Sequence, residues 1–263
     1  YVKKILNNYD PSIYRYIMTH PSDGIPKIKE LIEDDDKLIV VEEYINGNNL
    51  EDMKFSEYEA MEIIASLCRI LLPLHRNNIV HRDIKASNVL MSKQGDIYLL
   101  DFDASKRFDN GKRQDTELIG TKGYAAPEQY GFSQSDARTD IYALGVLLYK
   151  LVTGYLPLEQ APEYSMTTSK FRKIVLKCTS MDPNNRYQSV SRLLNDLTDS
   201  TIDNRLPGYR SNSIVKKCAA TVWYLFIIYF SFFCVVSDDN VPEWIIDTAC
   251  FTMLSCLTLY IGN

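Results

Sequence analysis

Short apolar runs, separated by residues that favour turns, fill the first part of the chain. Residues 1–5, 25–33 and 38–44 are rich in apolar side chains and predict strands, with a run of three aspartates at 34–36 as the turn between the last two. Residues 11–19 predict a short helix, because a proline stands in its first turn, where proline is tolerated. The chain therefore begins with a predicted small β-rich unit built around one helix.

The pattern changes after residue 48 from strand-like runs to helical spacing. Residues 56–76 carry apolar side chains three and four positions apart, with Ser56 as N-cap and Glu59 in capping-box register. Two short strands flank a turn at Gln94 and Gly95, and the rest of this region is predicted to be mainly helical. The further strands are predicted at 89–91 and 97–100, and the helices at 141–153, 169–178 and 190–197.

The last part of the chain contains a long uncharged stretch at residues 218–236. About 20 apolar residues suffice for a helix to cross a bilayer, and this stretch predicts a transmembrane helix. A buried core helix is the alternative. Residues 244–261 predict a second span, although Asp247 lies in its first turn. Basic residues within 206–217 and acidic residues after the first span predict that the preceding domain faces the cytoplasm.

Composition excludes several classes of protein. The net charge of −5 gives no basic stripe of the kind that nucleic-acid-binding proteins carry, so no nucleic-acid partner is expected. The six cysteines include no CxxC pair, which disfavours a disulfide framework or a zinc site.

One polar segment and the acidic residue that follows it carry the main chemical signal. Asp83, Lys85 and Asn88 lie within eight residues of one another in the segment 81–88, and Asp101 follows a short distance later. Phosphoryl transfer needs a carboxylate to position the attacking hydroxyl, oxygen ligands for Mg²⁺, and a cation near the moving charge. These residues supply all three; a merely solvated polar loop is the alternative.

Residues 81–88 resemble the H-R-D-x-K-x-x-N catalytic loop of protein kinases, and residues 101–103 resemble their D-F-G motif. The resemblance implies that Asp83 is the catalytic base, that Asn88 and Asp101 are metal ligands, and that Lys85 lies near the γ-phosphate. Asp103 departs from the family pattern, because glycine usually occupies that position. The implied cofactors are ATP and Mg²⁺.

A second cluster resembles the end of a kinase activation segment, with A-P-E at residues 126–128. The resemblance implies that Thr121 is a catalytic-site residue that bonds Asp83 and Lys85. It further implies that Glu128 pairs with Arg186; two unrelated surface charges are the alternative. Asp140 matches the residue that braces the catalytic loop.

The amino end resembles the kinase small lobe more weakly. Residues 1–5 resemble the V-A-I-K strand, which makes Lys3 the candidate contact for the α- and β-phosphates, with a surface lysine as the alternative. Ser12 stands where the family has its paired helical glutamate, so either a neighbour such as Asp10 replaces it or the ion pair is absent. The Gly-rich phosphate loop is expected to precede residue 1, which suggests an N-terminally truncated piece of a longer protein.

The strand and hinge that receive adenine are expected at residues 38–47. Glu43 and Ile45 would offer backbone groups to the base, and Leu90 would form the pocket floor. Glu42 would stand at the gatekeeper position, facing either solvent or a small-lobe lysine.

The sequence thus predicts an α+β, two-lobed kinase fold: an incomplete small lobe at 1–45, a large lobe at 46–205, a basic segment at 206–217, and one or two transmembrane helices. It resembles bacterial, eukaryotic-like, membrane-anchored Ser/Thr protein kinases. The expected function is phosphorylation of Ser or Thr on protein substrates at the cell membrane, with the lipid bilayer as a partner and a homodimer allowed. A pseudokinase that acts as a membrane-anchored binding or scaffold module is the main alternative. A small-molecule kinase is disfavoured by the A-P-E segment.

Overall fold

A computed structural model describes residues 1–7, 9–34, 37–108, 120–131, 134–157 and 168–198. All of these residues belong to the first of two units into which the chain divides, Tyr1–Asp199. The basic segment predicted at 206–217 and the spans predicted at 218–236 and 244–261 lie outside the described residues. Within the described part, no helix is both long enough and apolar enough to cross a bilayer.

Three antiparallel strands and one helix form the amino-terminal part. Strands β1 (Val2–Leu6), β2 (Ile28–Asp34) and β3 (Lys37–Glu42) pair in the order β1-β3-β2, with β3 in the centre. Helix α1 (Pro11–Thr19) begins at the N-cap Asp10, whose carboxylate accepts a hydrogen bond from the amide of Ser12. Helix α1 contacts β2 and buries apolar side chains against the same core as the sheet.

Helix α2 (Glu57–Arg76) is the longest described helix, and its start follows the predicted capping box. The hydroxyl of Ser56 accepts from the Glu59 amide at 3.3 Å, and the Glu59 carboxylate accepts from the Ser56 amide at 2.9 Å. Three further α-helices follow within the described residues: α3 (Ala137–Thr153), α4 (Ser169–Cys178) and α5 (Val190–Thr198). The predicted apolar face of α2 is buried against α3 and α5, and α3 also packs on α4.

In the part of the chain that the structure describes, five more short strands lie between and around these helices, and they hold the loops that carry the polar motifs. Strands β4 (Gly47–Asn49), β6 (Val89–Ser92) and β7 (Ile97–Leu99) form one sheet, and β5 (Ile79–Val80) pairs with β8 (Lys106–Arg107). The β6–β7 hairpin places the residue before β6 beside the residue after β7: the amide of Leu100 donates to the carbonyl of Asn88 at 2.8 Å. The segments 81–88 and 101–103 are therefore held side by side.

The helices and strands predicted within the described residues are present, with shifted ends. The strand expected at 25–33 begins only at Ile28, because Gly24 adopts a positive φ of 79° and Ile25 closes a turn on the carbonyl of Ser22. The helix expected at 141 begins four residues earlier, because Asp136 caps it by accepting from the amide of Arg138 at 2.7 Å.

Candidate active site

The segment 81–88 is fixed by one buried carboxylate, that of Asp140 on helix α3. Its side chain is fully buried and accepts hydrogen bonds from the amides of His81 at 2.9 Å and Arg82 at 2.8 Å. The Nε2 atom of His75, at the end of α2, lies 2.7 Å from the same carboxylate. Burial alone would raise the pKa of Asp140, but the His75 hydrogen bond and the neighbouring charges outweigh it and hold the pKa below its usual value. Asp140 is therefore an ionised brace, as the family resemblance implies.

His81 joins this loop to the segment that begins at Asp101. Burial lowers the pKa of His81, so its imidazole is neutral. Its Nε2 atom lies 3.1 Å from the carbonyl of Leu100 and donates to it, while its Nδ1 atom accepts from the amide of Asp83 at 3.4 Å. The ring also packs edge-on against Phe102, with 4.9 Å between ring centroids. A single neutral imidazole thus sets the spacing between Asp83 and Asp101.

Two backbone positions at this junction are strained. Arg82 and Asp101 both adopt the left-handed region, with φ of 70° and 65°, although neither is glycine. Such conformations cost of order 1–3 kcal/mol each and persist only where the surroundings hold them, commonly at functional sites. Asp140 and His81 supply the hydrogen bonds that hold these two.

Asp83 lies at the centre of a cluster of polar side chains. Its Oδ1 atom accepts from the hydroxyl of Thr121 at 2.7 Å, and its Oδ2 atom is 2.7 Å from Lys85 Nζ and 3.0 Å from Asn88 Nδ2. Lys85 also donates to the hydroxyl of Thr121 at 2.9 Å. The contacts that the resemblance implied for Thr121 are therefore present, and four of the predicted site residues meet at one point.

The charge state of Asp83 follows from this cluster. Burial raises the pKa of Asp83, but hydrogen bonds from Lys85 and Thr121, together with the Lys85 charge, outweigh it, so the pKa lies below its usual value. The carboxylate is ionised at neutral pH. Among the described residues, Oδ1 accepts one hydrogen bond, which leaves it acceptor capacity for a further hydroxyl group.

Asn88 and Asp101 fit the metal-binding role that the sequence suggested. Asn88 uses its amide nitrogen on the carbonyl and the carboxylate of Asp83, at 2.9 and 3.0 Å, so its amide oxygen is the atom that could bind a cation. Asp101 closely follows β7 and supplies a carboxylate. Mg²⁺ is usually held by one or two protein oxygen ligands and completed by phosphate and water oxygens. The chemistry of this donor set suits Mg²⁺.

Asp103, the departure from the D-F-G pattern, is engaged by helix α1. The hydroxyl of Tyr14 donates a hydrogen bond to Asp103 Oδ1. Burial and the charge of Asp101 raise the pKa of Asp103 to about 6, although the hydrogen bond from Tyr14 acts to lower it. Burial and the bond to Asp103 also raise the pKa of Tyr14, which therefore stays protonated as the donor. The segment 101–103 is tied to α1 through this pair.

The end of the predicted activation segment is anchored by a buried ion pair. Arg186 donates from two nitrogens to the two oxygens of Glu128, at 2.7 and 2.9 Å, and both residues are buried. The hydroxyl of Thr139 donates to Glu128 at 2.9 Å, and Arg186 also reaches the carbonyl of Ser180 at 2.8 Å. The predicted Glu128–Arg186 pair is confirmed, and the alternative of two unrelated surface charges is wrong.

Strand β1 presents its two lysines to opposite faces of the sheet. Lys3, the predicted phosphate contact, is exposed, whereas the Lys4 side chain is 27% exposed and its Nζ lies 2.7 Å from Glu42 Oε1. Successive strand side chains alternate between faces, so a one-residue error in register exchanges them. The structure does not bring Lys3 to the site, and Lys4 takes its place as the candidate.

The residue that forms an ion pair with Lys4 is Glu42 on β3. Asp10 caps helix α1, and Ser12 Oγ accepts from Arg107 at 3.4 Å, so neither serves as the partner. Glu42 faces Lys4 and not solvent, which resolves the two orientations left open for the gatekeeper position.

The residues expected around adenine lie along one continuous stretch. The amide of Glu43 donates to the carbonyl of Lys27 at 2.9 Å, so Glu43 has only its carbonyl to offer a base. Ile45 follows in the connection to β4, where Gly47 pairs with β6. A Cβ atom at Gly47 would lie 2.4 Å from Leu90 Cδ2, which shows how closely Leu90 underlies this stretch.

Three residues that the sequence analysis passed over belong to the site: His75, Gln129 and Tyr14. Gln129 donates from Nε2 to the carbonyl of Arg82 at 2.8 Å and accepts from the amide of Ala126 at 2.9 Å, which ties the A-P-E segment to the catalytic loop. The only sequence signal for Gln129 is its position directly after the A-P-E motif. His75 and Tyr14 lie on buried helix faces, where spacing alone does not distinguish a site residue from a core residue.

Taken together, these residues form an ionised carboxylate beside a lysine, two oxygen donors for a metal and an anchored segment facing them, which is the arrangement of a phosphotransferase. A family model described as "Protein kinase domain" matches residues 13–220. The chain belongs to the protein kinase family. The matched residues include every site residue above except those of strand β1.

The chain is also similar to curated bacterial proteins. It is 31% identical over 184 residues to the serine/threonine-protein kinase PknB of Mycobacterium tuberculosis, which covers 60% of this chain and 29% of the relative. It is 28% identical over 208 residues to the probable serine/threonine-protein kinase PknB of Lactococcus lactis, which covers 70% of this chain and 33% of the relative. The chain thus spans about a third of the length of these relatives.

We expect the stability of the fold to depend on the Glu128–Arg186 ion pair. Replacing Arg186 by Met leaves Glu128 as a buried, uncompensated charge, which typically costs about 3–5 kcal/mol of unfolding free energy. The double replacement Arg186→Met with Glu128→Leu removes both charges, and we expect it to be more stable than Arg186→Met alone. Chemical denaturation of the three proteins measures both differences. Equal stability of Arg186→Met and the unmodified chain would contradict the role of this pair.

Proposed function

We propose that this chain transfers the γ-phosphate of ATP to Ser or Thr hydroxyl groups of proteins. The observation that carries the proposal is the cluster around Asp83: an ionised carboxylate, bonded to Lys85, Thr121 and Asn88, on a loop whose backbone is fixed by a buried aspartate. Membership of the protein kinase family and the similarity to serine/threonine-protein kinases support it.

Asp83 orients the nucleophile in this reaction. A substrate hydroxyl donates to the oxygen of Asp83 that retains acceptor capacity, and its oxygen attacks the γ-phosphorus while the bond to the β–γ bridging oxygen breaks. The hydroxyl proton passes to Asp83, and ADP leaves with the bridging oxygen. Because the pKa of Asp83 is low, the carboxylate is ready to accept a hydrogen bond at neutral pH, and its main contribution is positioning.

Lys85 and the two oxygen donors act on the phosphate side of the same cluster. The ammonium of Lys85 lies between Asp83 and Thr121, where it offsets negative charge that builds up on the transferred group. Asn88 and Asp101 would hold Mg²⁺, which supplies charge neutralisation at the phosphates when bound. Lys4, the carbonyl of Glu43, the backbone of Ile45 and the Leu90 side chain would bind the rest of the nucleotide.

The anchored A-P-E segment supports a protein substrate. Glu128, Arg186 and Gln129 fix the end of this segment against the catalytic loop, and Thr121 contacts Asp83 directly. A fixed shelf beside the nucleophile site suits a peptide that lies across it, whereas a small-molecule acceptor needs no such shelf. Lys85 two positions after Asp83 favours Ser/Thr over Tyr, as the family resemblance implies.

A nucleotide-binding module without turnover is the second candidate, and the Tyr14–Asp103 contact favours it. This contact ties the segment 101–103 to α1. Asp103 also stands where the family has a glycine, whose backbone freedom would allow the segment to move. The intact Asp83, Asn88 and Asp101 favour the enzyme.

The test of activity replaces Asp83 by Asn, which keeps the shape and removes the charge. With ATP, Mg²⁺ and a generic protein substrate, we expect the rate of phosphate transfer to fall at least about a hundredfold, within the range of general-base contributions. Phosphoamino-acid analysis of the product is expected to show phosphoserine or phosphothreonine. The matched control is Glu62→Gln, which alters an exposed carboxylate on α2 and should retain the activity.

Two results of this assay would contradict the proposal. Equal rates for the unmodified chain and Asp83→Asn would remove Asp83 from the mechanism. Binding of ATP without any transfer by the unmodified chain would favour the non-catalytic module.

We further propose that the chain is anchored in the cell membrane, with the kinase domain on the cytoplasmic side. The support is the uncharged stretch 218–236, the basic residues before it and the acidic residues after it. Residues 244–261 would form a second span.

Membrane anchoring is tested by fractionation of cells that express the chain. We expect it in the membrane pellet after an alkaline wash, and extractable only with detergent. The double replacement Ile227→Lys and Ile228→Lys places two charges in the middle of the first span, at about 2.5–3.5 kcal/mol each on insertion scales, and should increase the fraction of the chain in the supernatant. An unmodified chain that stays in the supernatant without detergent would show that 218–236 is not a span.

A further inference from the structure

The lysine and the glutamate of the small sheet share one face because of the strand register. Val2 on β1 lies opposite Glu42 on β3, and Lys4 lies opposite Val40. Lys4 and Glu42 are therefore diagonal neighbours on the same face, a separation that long side chains bridge. Val40 is fully buried, so this is the face that the sheet turns toward the core.

Glu42 is a buried carboxylate whose described ion-pair partner is Lys4. The residue is 8% exposed, and Lys4 Nζ lies 2.7 Å from its Oε1 atom. A carboxylate that is removed from water needs a counter-charge, so the pair is mutually dependent. The Lys4 ammonium has three donors, and the bond to Glu42 uses one of them.

The electrostatic neighbours of this pair are the residues of the metal-binding segment. The Lys4 charge acts to lower the pKa of Asp103, and the charges of Glu42 and Asp101 act to raise the pKa of Tyr14. Lys4 is therefore close enough to Asp103, two positions after Asp101, for the two charges to interact, and the phosphates of ATP are expected near Asp101.

Helix α1 offers no carboxylate to this lysine. None of its residues is acidic, and Asp10, the acidic residue at its N-cap, is committed to the amide of Ser12. The helix reaches the site through the Tyr14 hydroxyl, which donates to Asp103 and not to Lys4.

We propose that Glu42 of strand β3 is the residue that positions Lys4 on the α- and β-phosphates of ATP, and that helix α1 has no part in this positioning. The inference rests on the proposed function. Lys4 would then be positioned by a residue of the central strand of the sheet and not by a residue of helix α1. The lysine is thereby held by a strand paired to its own strand, so its position follows the sheet and not the placement of α1.

The test compares the binding of ADP and adenosine by the full chain, measured by calorimetry. ADP carries the two phosphates that Lys4 would contact, and adenosine carries none. We expect Glu42→Gln to weaken ADP binding about tenfold, since one hydrogen bond to a charged group is commonly worth that much, and to leave adenosine binding within about twofold. Lys4→Met should have the same two effects.

Three further variants separate positioning from general damage. If Glu42 acts through Lys4, adding Glu42→Gln to Lys4→Met should weaken ADP binding no further. Glu42→Asp keeps the charge on a shorter side chain and should retain part of the affinity. Glu30→Gln changes an exposed carboxylate on β2 and should bind ADP as the unmodified chain does.

Each contrary outcome has a distinct meaning. If Glu42→Gln weakens the binding of ADP and adenosine equally, Glu42 shapes the base pocket. If the double variant loses ADP affinity by the product of the two single losses, Glu42 acts independently of Lys4. Either result overturns the inference. An unmodified chain that binds ADP, combined with a Lys4→Met variant that binds it equally well, overturns the inference and leaves the proposed function standing. An unmodified chain that binds neither compound overturns both.

Discussion

The geometry of the site depends on the burial of one charge, the carboxylate of Asp140. It accepts from two consecutive backbone amides and from His75, and it is fully buried. An ionised carboxylate in such a place is costly unless every lone pair is used, so the loop that supplies the amides has little freedom to move. The left-handed φ of Arg82 is held by this requirement. Asp83 follows directly, and its orientation is therefore set by a residue on helix α3.

The same principle of paired buried charges recurs twice at the edges of the site. Glu128 and Arg186 fix the segment that carries Thr121, and Glu42 fixes Lys4. Removal of Arg186 would leave Glu128, and removal of Lys4 would leave Glu42, as an uncompensated buried carboxylate, so the contacts are specific as well as stabilising. The site is a set of loops, each held to a helix or strand by a charged pair or a charge-assisted bond.

Much of this could be predicted from the sequence, because the signals are local. The capping box at Ser56 and Glu59 located the start of α2, and the short spacing of Asp83, Lys85 and Asn88 indicated a polar cluster, which the structure shows. The Glu128–Arg186 pair was predicted from two motifs of the family pattern. In each case the information lies within a few neighbouring positions or in a known pairing of motifs.

The features that the sequence analysis missed depend on which side chains face each other in the folded chain. Lys3 and Lys4 are adjacent and chemically identical, and only the strand register decides which of them points inward. The partnership of Lys4 with Glu42, and of Tyr14 with Asp103, joins residues on different elements that no motif links.

The turnover of Asp140→Asn, measured together with its affinity for ADP, tests most directly whether this buried charge positions Asp83. The amide keeps the size of the side chain but can accept at only one of its two terminal atoms, so the loop loses part of its anchor while the nucleotide-binding residues on the sheets remain in place. We expect kcat to fall at least about tenfold, the equivalent of about 1.4 kcal/mol, with ADP affinity nearly unchanged. An Asp140→Asn variant that turns over as fast as the unmodified chain would contradict the claim that this buried charge positions Asp83.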